Sequence, residues 1–176
     1  LQAEAMGLAL VVGSTQGEKE KELVDLEKTI KIAKEKYKLS GIVSGALFST
    51  YQRDRIEKIC DKLGLKIFAT LWHKPQEEEM KELLAEVFVF ILSAVAAEVL
   101  DKSWLNRIIT EKDVEKLKRL HDKNKIGIAG EGGEFESIVV DCPLFKKKII
   151  IEEVKIVEEG RNSAHSIVKK ARMREK

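Results

Sequence analysis

The sequence predicts an α/β protein, a Rossmann-like doubly wound parallel sheet followed by a smaller α+β region. Three observations predict it. Apolar runs at residues 8–12, 41–46 and 65–72 read as strands buried on both faces of a parallel sheet. Charged stretches of helical spacing separate them, giving the strand–helix alternation that right-handed crossovers require. After His73-Lys74-Pro75 the alternation stops and β-branched runs separated by short turns take over. The expected organisation is therefore an α/β part over residues 1–74, an α+β part over 75–158 and a basic tail over 159–176.

Taken in order, Thr15 and Glu18 stand as a capping box for a helix over residues 17–37, whose buried stripe is Leu23, Leu26, Ile30 and Ala33. The run at 41–46 leads into a helix carrying Tyr51, Arg53, Arg55 and Glu57, which stops at Gly64, a residue suited to a left-handed C′ position. Residues 76–85 form a short acidic helix and 87–95 a strand. Thr110 with Asp113 caps a helix that reaches Asn124, and residues 138–141, 147–153 and 154–157 read as antiparallel strands. The opening Leu-Gln-Ala-Glu-Ala-Met is helical in register and has no initiator methionine, so the chain is expected to be a piece of a longer one.

With 176 residues, 44% of them apolar, the chain can bury a good core, and a net charge of +2 carries no global nucleic-acid signal. Arg161, Lys169, Lys170, Arg172, Arg174 and Lys176 crowd the end, as a frayed solubilising tail or as an arm for RNA or an acidic partner, with the first favoured. Cys60 and Cys142 are far apart, and His73, His121 and His165 have no ligand spacing, so neither a disulfide framework nor a zinc site is indicated. A reducing, cytoplasmic setting fits. The most apolar run, residues 87–97, is bracketed by Glu86 and Glu98 and is too short to span a bilayer.

Two stretches carry chemistry. Residues 130–136 hold Gly130, Gly132 and Gly133 together with Glu131, Glu134 and Glu136, directly before a strand. Such a turn brings backbone N–H groups close to a ligand while its carboxylates accept from amines or hold a cation. The competing reading is a solvated hairpin turn. The second stretch runs from Gly45 through Ser49, Tyr51, Gln52, Arg53 and Arg55 to Glu57, where an open α/β sheet binds ligands. There Ser49 and the first-turn amides can hold a phosphate, Arg53 or Arg55 can pair with it, and Tyr51 can stack or hydrogen-bond. Surface ion pairs on a helix explain the same residues equally well.

The string Gly-Glu-Gly-Gly-Glu-Phe-Glu-Ser, followed by Asp-Cys-Pro-Leu-Phe-Lys, resembles the signature of the diphthine ammonia ligase family. These are ATP-dependent amide-forming enzymes of diphthamide biosynthesis, of the PP-loop or ATP pyrophosphatase type. The stretch from Gly45 to Glu57 resembles their second signature, on the ATP side, as does Leu71-Trp72. With Leu100-Asp101-x-x-Trp104-Leu105-x-Arg107 the resemblance covers residues 1–151. It implies ATP and Mg2+ as cofactors, with Gly45, Ser49, Tyr51, Gln52, Arg53 and Arg55 on the nucleotide side and no metal ligand assigned. It implies Glu131, Glu134 and Glu136 as catalytic groups that orient the trimethylammonium of diphthine or an ammonium ion. Gly130, Gly132, Gly133, Phe135, Ser137 and Asp141 would complete the substrate side. The implied partners are diphthine-modified elongation factor 2 and ammonium, with no membrane or direct nucleic acid and with room for a homodimer.

Departures accompany the resemblance. The family's Ser-Gly-Gly-Lys-Asp-Ser loop has no counterpart beyond Gly13-Ser14, Asn106 stands where the family usually has glycine, and residues 87–98 are unusually apolar. The 176-residue chain by itself is therefore expected to bind ATP weakly and to be inactive. Two alternatives stand beside the ligase: a partner-binding chain without catalysis, and an ATP pyrophosphatase acting on another carboxylate or nucleotide. On the ligase reading, Glu134→Gln would spare the fold and cripple amide formation.

Overall fold

A parallel pair of short strands organises Leu10–Lys74, and a four-stranded antiparallel sheet organises Pro75–Lys176 with Leu1–Ala9. The computed structural model describes residues 1–18, 20–45 and 49–176, without the side chain of Gln52. The protein is thus a mixed α/β protein with one parallel and one antiparallel sheet.

In the first unit, helix α2 (Glu22–Tyr37) precedes strand β1 (Gly41–Val43), helix α3 (Thr50–Leu63) and strand β2 (Lys66–Phe68). The strands pair in parallel with Gly41 opposite Lys66 and Val43 opposite Phe68, so α3 is the crossover that parallel pairing demands. It stops where the sequence places the stop. Gly64 takes φ 63°, its N–H bonds to the Asp61 carbonyl, and Leu65 N–H returns to Cys60 O at 2.8 Å. Lys34 of α2 bonds the Leu63 carbonyl, and Lys62 pairs with Glu27 at 2.6 Å, holding the two helices together. Ile59, Cys60 and Leu65 are buried beneath them.

Four expectations for this unit change. Residues 8–12 form no strand among the described residues, and Leu8, Leu10 and Val12 are exposed. An apolar run has the composition of a buried strand, but it becomes one only with a paired neighbour. The helix starts at Glu22 rather than residue 17, because the Thr15 hydroxyl accepts from Gly17 N–H at 3.3 Å in a local turn. No residue of α2 is fully buried, and Leu26 is 38% exposed. The two strands are also shorter than their apolar runs: Ser44 and Gly45 lie beyond β1, Ala46 is outside the described residues, and the chain turns after Phe68 with His73 at φ 62°.

In the second unit, helix α1 (Gln2–Met6) is followed by helix α4 (Gln76–Ala85), strand β3 (Val89–Val95), helix α5 (Glu111–Asn124) and strands β4 (Phe135–Asp141), β5 (Lys147–Glu158) and β6 (Ala164–Glu175). The sheet order is β4-β3-β6-β5, antiparallel throughout. Central strand β3 reads Val-Phe-Ile-Leu-Ser-Ala-Val, the near-continuous apolar run expected of a strand with neighbours on both sides. Leu92, Trp104 and Leu117 are essentially inaccessible and form the core with Val95, Val114 and Phe135. Val114 and Leu117 lie three apart, so one stripe of α5 faces that core. A smaller cluster of Ala5, Cys142, Phe145 and Ile149 ties α1 to the start of β5, helped by Lys146 N–H bonding Ala5 O at 2.6 Å.

The capping box is present: Asp113 Oδ2 accepts from Thr110 N–H at 3.0 Å and from its hydroxyl at 2.8 Å, while Oδ1 meets Arg107 at 2.7 Å. Residues 147–153 and 154–157 are one strand with an irregularity near Glu153 rather than two, and β4 starts at Phe135 rather than 138. The basic stretch read as a frayed tail is β6, paired along its length with β5. Its charges occupy the solvent side of a hairpin, where Glu152 holds Lys170 at 2.9 Å and Arg172 at 2.5 Å. Among the described residues no helix is long and apolar enough to cross a membrane.

Two outcomes follow. Thr110→Ala removes the hydroxyl side of the capping box and should lower unfolding free energy by about 1 kcal/mol in urea titrations, with Thr110→Ser near the parent. Glu77 accepts hydrogen bonds from Lys118 and then Lys81, which hold its carboxyl down to about 2 against an ordinary 4.5. A carboxyl depressed on folding stabilises above its unfolded value, and that contribution is lost as pH falls from about 4.5 through about 2. Glu77→Gln should therefore flatten this part of the acid limb in melts taken between those pH values.

Candidate functional site

The glycine-rich loop is built from both ends. Helix α5 stops at Lys125 in the left-handed conformation, Ile126 and Ile128 anchor the chain in the core, and Phe135 re-enters it at the start of β4. Between them Gly130 and Gly133 take φ 79° and 82°, which L side chains rarely adopt, and Gly133 N–H bonds Gly130 O at 2.9 Å. A Cβ on Gly130 would lie 2.8 Å from the Phe135 carbonyl, so this glycine is required twice over.

The carboxylate of Glu134 closes the loop on itself. Its oxygens accept from Gly127 N–H at 2.5 Å and Gly132 N–H at 2.9 Å. Ala129 N–H bonds the Gln76 side-chain oxygen at 2.9 Å, and Ala96 N–H bonds the Glu134 carbonyl at 2.8 Å, tying the loop to α4 and to the end of β3. Glu131, Glu136 and Ser137 are exposed. Glu131 is nonetheless partly withdrawn from water, and this, with the Glu134 charge nearby, pushes its carboxyl above the ordinary carboxylate range. The loop thus presents outward carboxylates on a frame that a third carboxylate holds rigid.

Asp141 does not join them. It lies five residues beyond Glu136, about 16 Å along an extended strand, and pairs with Lys148 at 3.3 Å and Lys176 at 2.8 Å. Burial alone would raise its carboxyl, and the two lysines more than offset this and hold it below the usual range. Sequence reasoning missed Gln76 and Gly127. Their contacts to the loop depend on chain closure over as many as 53 residues, and no local pattern signals them.

In Leu10–Lys74 a cleft of about 450 Å³ is lined by apolar Leu26 and Ile56, by polar Ser14, Ser44, Tyr51 and Arg55, and by the acidic Glu22 and Asp25. Glu20 organises its charged rim: Tyr51 Oη donates to Glu20 at 2.8 Å, Arg55 Nε donates to the same oxygen at 3.1 Å, and the guanidinium lies 3.1 Å from the Tyr51 ring centre. Burial first, and then the hydrogen bond to Glu20, push the Tyr51 hydroxyl up. Arg53 does not line the cleft. It pairs with Glu57 at 3.8 Å and lies 4.8 Å over Trp72, which itself stacks on His73. The Ser49 carbonyl accepts from Arg53 N–H, Gly45 faces open space, and the Gln52 side chain lies outside the described residues. Among the described residues no group of three His, Cys, Asp or Glu side chains could hold a metal ion.

A parallel-sheet unit with a mixed polar and apolar cleft, continued by an antiparallel unit with a carboxylate-bearing glycine loop, defines the class: a two-part α/β protein with a candidate site in each part. Residues 1–67 match the diphthamide synthase N-terminal domain and residues 76–173 the diphthamide synthase C-terminal domain, and the chain belongs to this family. It is 39% identical over 137 residues to a mouse protein named diphthine–ammonia ligase, covering 77% of this chain and 51% of that protein. To the bovine protein of that name it is 36% identical over 169 residues, covering 89% of this chain and 63% of the relative. The fission yeast protein of that name is 38% identical over 138 residues, which are 78% of this chain and 23% of its own length. The chain therefore spans about half the length of the mouse relative and under a quarter of the yeast one.

The loop geometry makes a separable prediction. Glu134→Gln leaves one acceptor oxygen and turns an NH2 group toward a backbone N–H, so it should cost about 1 to 3 kcal/mol and loosen the loop rather than spare it. Glu136→Gln should shift stability by less than about 0.5 kcal/mol. Urea unfolding with hydrogen exchange at Gly127 and Gly132 reads both, and equal protection in Glu134→Gln and parent would remove the framing role.

Proposed function

We propose that this chain supplies the substrate side and part of the nucleotide side of an ATP-dependent amide ligase that converts diphthine on elongation factor 2 to diphthamide. The single observation that carries the reading is the loop frame, in which Glu134 is consumed by the fold while Glu131 and Glu136 are left exposed. Membership of the diphthamide synthase family and the ligase names of the relatives support it.

In the proposed reaction a substrate carboxylate oxygen displaces pyrophosphate from the α-phosphorus of ATP, and ammonia nitrogen then attacks the acyl carbon and releases AMP. Glu136 draws the cation of diphthine or ammonium by charge. Glu131, whose carboxyl is raised, takes a proton from ammonium and leaves the nucleophile as ammonia. The cleft beside Arg55 has the volume of a small-ligand site, and its lining combines apolar walls with hydroxyls, the Arg55 guanidinium and the carboxylates of Glu22 and Asp25, so phosphates would sit on the Arg55 side. Magnesium would sit there as a companion of the phosphates, because among the described residues no group of three His, Cys, Asp or Glu side chains could hold it alone. On this proposal the Leu10–Lys74 unit belongs to a Rossmann-like ATP domain, the Pro75–Lys176 unit with Leu1–Ala9 forms the substrate-side part, and the setting is cytoplasmic.

The test is single-turnover amidation of diphthine-bearing elongation factor 2 with ATP and ammonium, in a form of the protein that carries the phosphate loop. Glu131→Gln should slow amide formation by about 100-fold or more with an unchanged melt. An unchanged rate would take Glu131 out of the site. AMP release that ignores diphthine would point to another carboxylate substrate.

A further inference from the structure

The contacts that shape the glycine-rich loop come from different distances along the chain. Glu134 bonds Gly127 and Gly132 N–H from within the same stretch, and His121 Nδ1 donates to the Ile126 carbonyl at 2.6 Å from the end of α5 that leads into it. These are local bonds that fold the stretch onto itself. Two others fix it to the rest of the unit: Ala96 N–H holds the exit at the Glu134 carbonyl, and the Gln76 side-chain oxygen holds the entry by accepting from Ala129 N–H at 2.9 Å, 53 positions away in sequence.

Gln76 is placed to make that bond. It is the first residue of α4, directly after Pro75, whose ψ of 127° lies outside the helical region. Helical side chains lean toward the helix N-terminus, so a residue in the first position reaches past the end of its own helix. The seat it reaches is left open by a glycine. A Cβ on Gly127 would lie 3.2 Å from the Gln76 oxygen and 2.9 Å from Glu134 Oε2, so a side chain there would press on both acceptors. Ile126 and Ile128, buried on either side of Gly127, keep the segment from turning away.

Glu131 is bracketed by two held amides, Ala129 N–H on Gln76 before it and Gly132 N–H on Glu134 after it. Between the brackets stands Gly130 at φ 79°, a residue that adds freedom rather than restraint, so release of either bracket frees the residue between. We propose that Gln76 is a positioning residue: by holding Ala129 N–H it fixes the course of residues 129–131 and so the place of the Glu131 carboxylate at the site. It acts through the backbone of the loop. The inference rests on the part proposed above for Glu131 in amide formation. Glu131 reports on its own position, because partial withdrawal from water and the nearby Glu134 charge, the two influences that raise its carboxyl, both depend on where it lies.

The experiment compares the parent with Gln76→Met, which keeps the length of the side chain and removes its acceptor. In the 176-residue chain, carboxyl NMR should show Glu131 titrating closer to the ordinary 4.5 than in the parent. Ala129 N–H should exchange about tenfold faster. In the form that carries the phosphate loop, kcat for amidation should fall by about 10- to 100-fold with KM for ATP unchanged. Thr110→Ala, at the opposite end of α5, lowers stability without touching the loop, so its Glu131 titration and its kcat should match the parent. Gln76→Asn draws the acceptor back by about 1.5 Å. It carries the same expectations as Gln76→Met and replaces it should the methionine variant not fold. The proposal is overturned by a folded Gln76 variant whose Glu131 titrates with the parent, by one whose kcat equals the parent's, or by equal losses in Thr110→Ala. A parent that makes no amide overturns the reaction instead, and the Glu131 titration then decides for or against Gln76 by itself.

Discussion

The glycine-rich loop of the antiparallel unit depends on one half-buried carboxylate that is turned onto the backbone. Glu134 gathers the N–H groups of Gly127 and Gly132, and its own carbonyl takes Ala96 N–H, so one residue links the approach from α5, the turn and the end of β3. A carboxylate that accepts from two backbone amides is held more firmly than one in a surface ion pair. Rigidity in a glycine-rich turn has to come from such a source, since the glycines that permit its shape also enlarge the ensemble it must be selected from. The exposed Glu131 and Glu136 inherit a fixed spacing from a residue that spends its own charge on the frame.

How much of this was legible in the sequence follows from distance along the chain. The Thr110–Asp113 box and the stop at Gly64 were readable because each is decided within about four residues. The loop was readable as a special turn, since glycines and carboxylates at that density have few other uses. The division of labour among its glutamates was not, because Glu134 differs from Glu131 only in which backbone amides closure of the loop brings near. Strand β6 was hidden for another reason: in Lys-Lys-Ala-Arg-Met-Arg-Glu the charges dominate the composition, and the apolar alternation of Ala171 and Met173 beneath them is faint. Residues 8–12 fail in the opposite sense, with the composition of a strand and no partner to make one.

The parallel unit shows why two arginines two residues apart need not share a role. Arg55 sits at the cleft with Tyr51 and Glu20, while Arg53 points to Glu57 and Trp72. On a helix, residues two apart lie on widely separated faces, so one guanidinium at the cleft places the other away from it. The Glu20 contact does not bar Arg55 from an anionic ligand. An exposed ion pair contributes well under about 1 kcal/mol, whereas a charged hydrogen bond to phosphate is worth roughly 1.5 to 3, so exchange of partners favours the phosphate.

Asn106 is the position where local and global preferences disagree most. A left-handed φ suits glycine, and asparagine is among the few side chains that tolerate it. Tolerance covers the backbone only. The carboxamide still has to be desolvated, and an unmet buried polar group costs about 1 to 3 kcal/mol, on top of the backbone strain that glycine would relieve. A glycine at this point would give the same turn and the same Leu92 contact with neither cost. The amide is thus the part of the residue that the fold does not use, since among the described residues neither of its polar atoms has a partner.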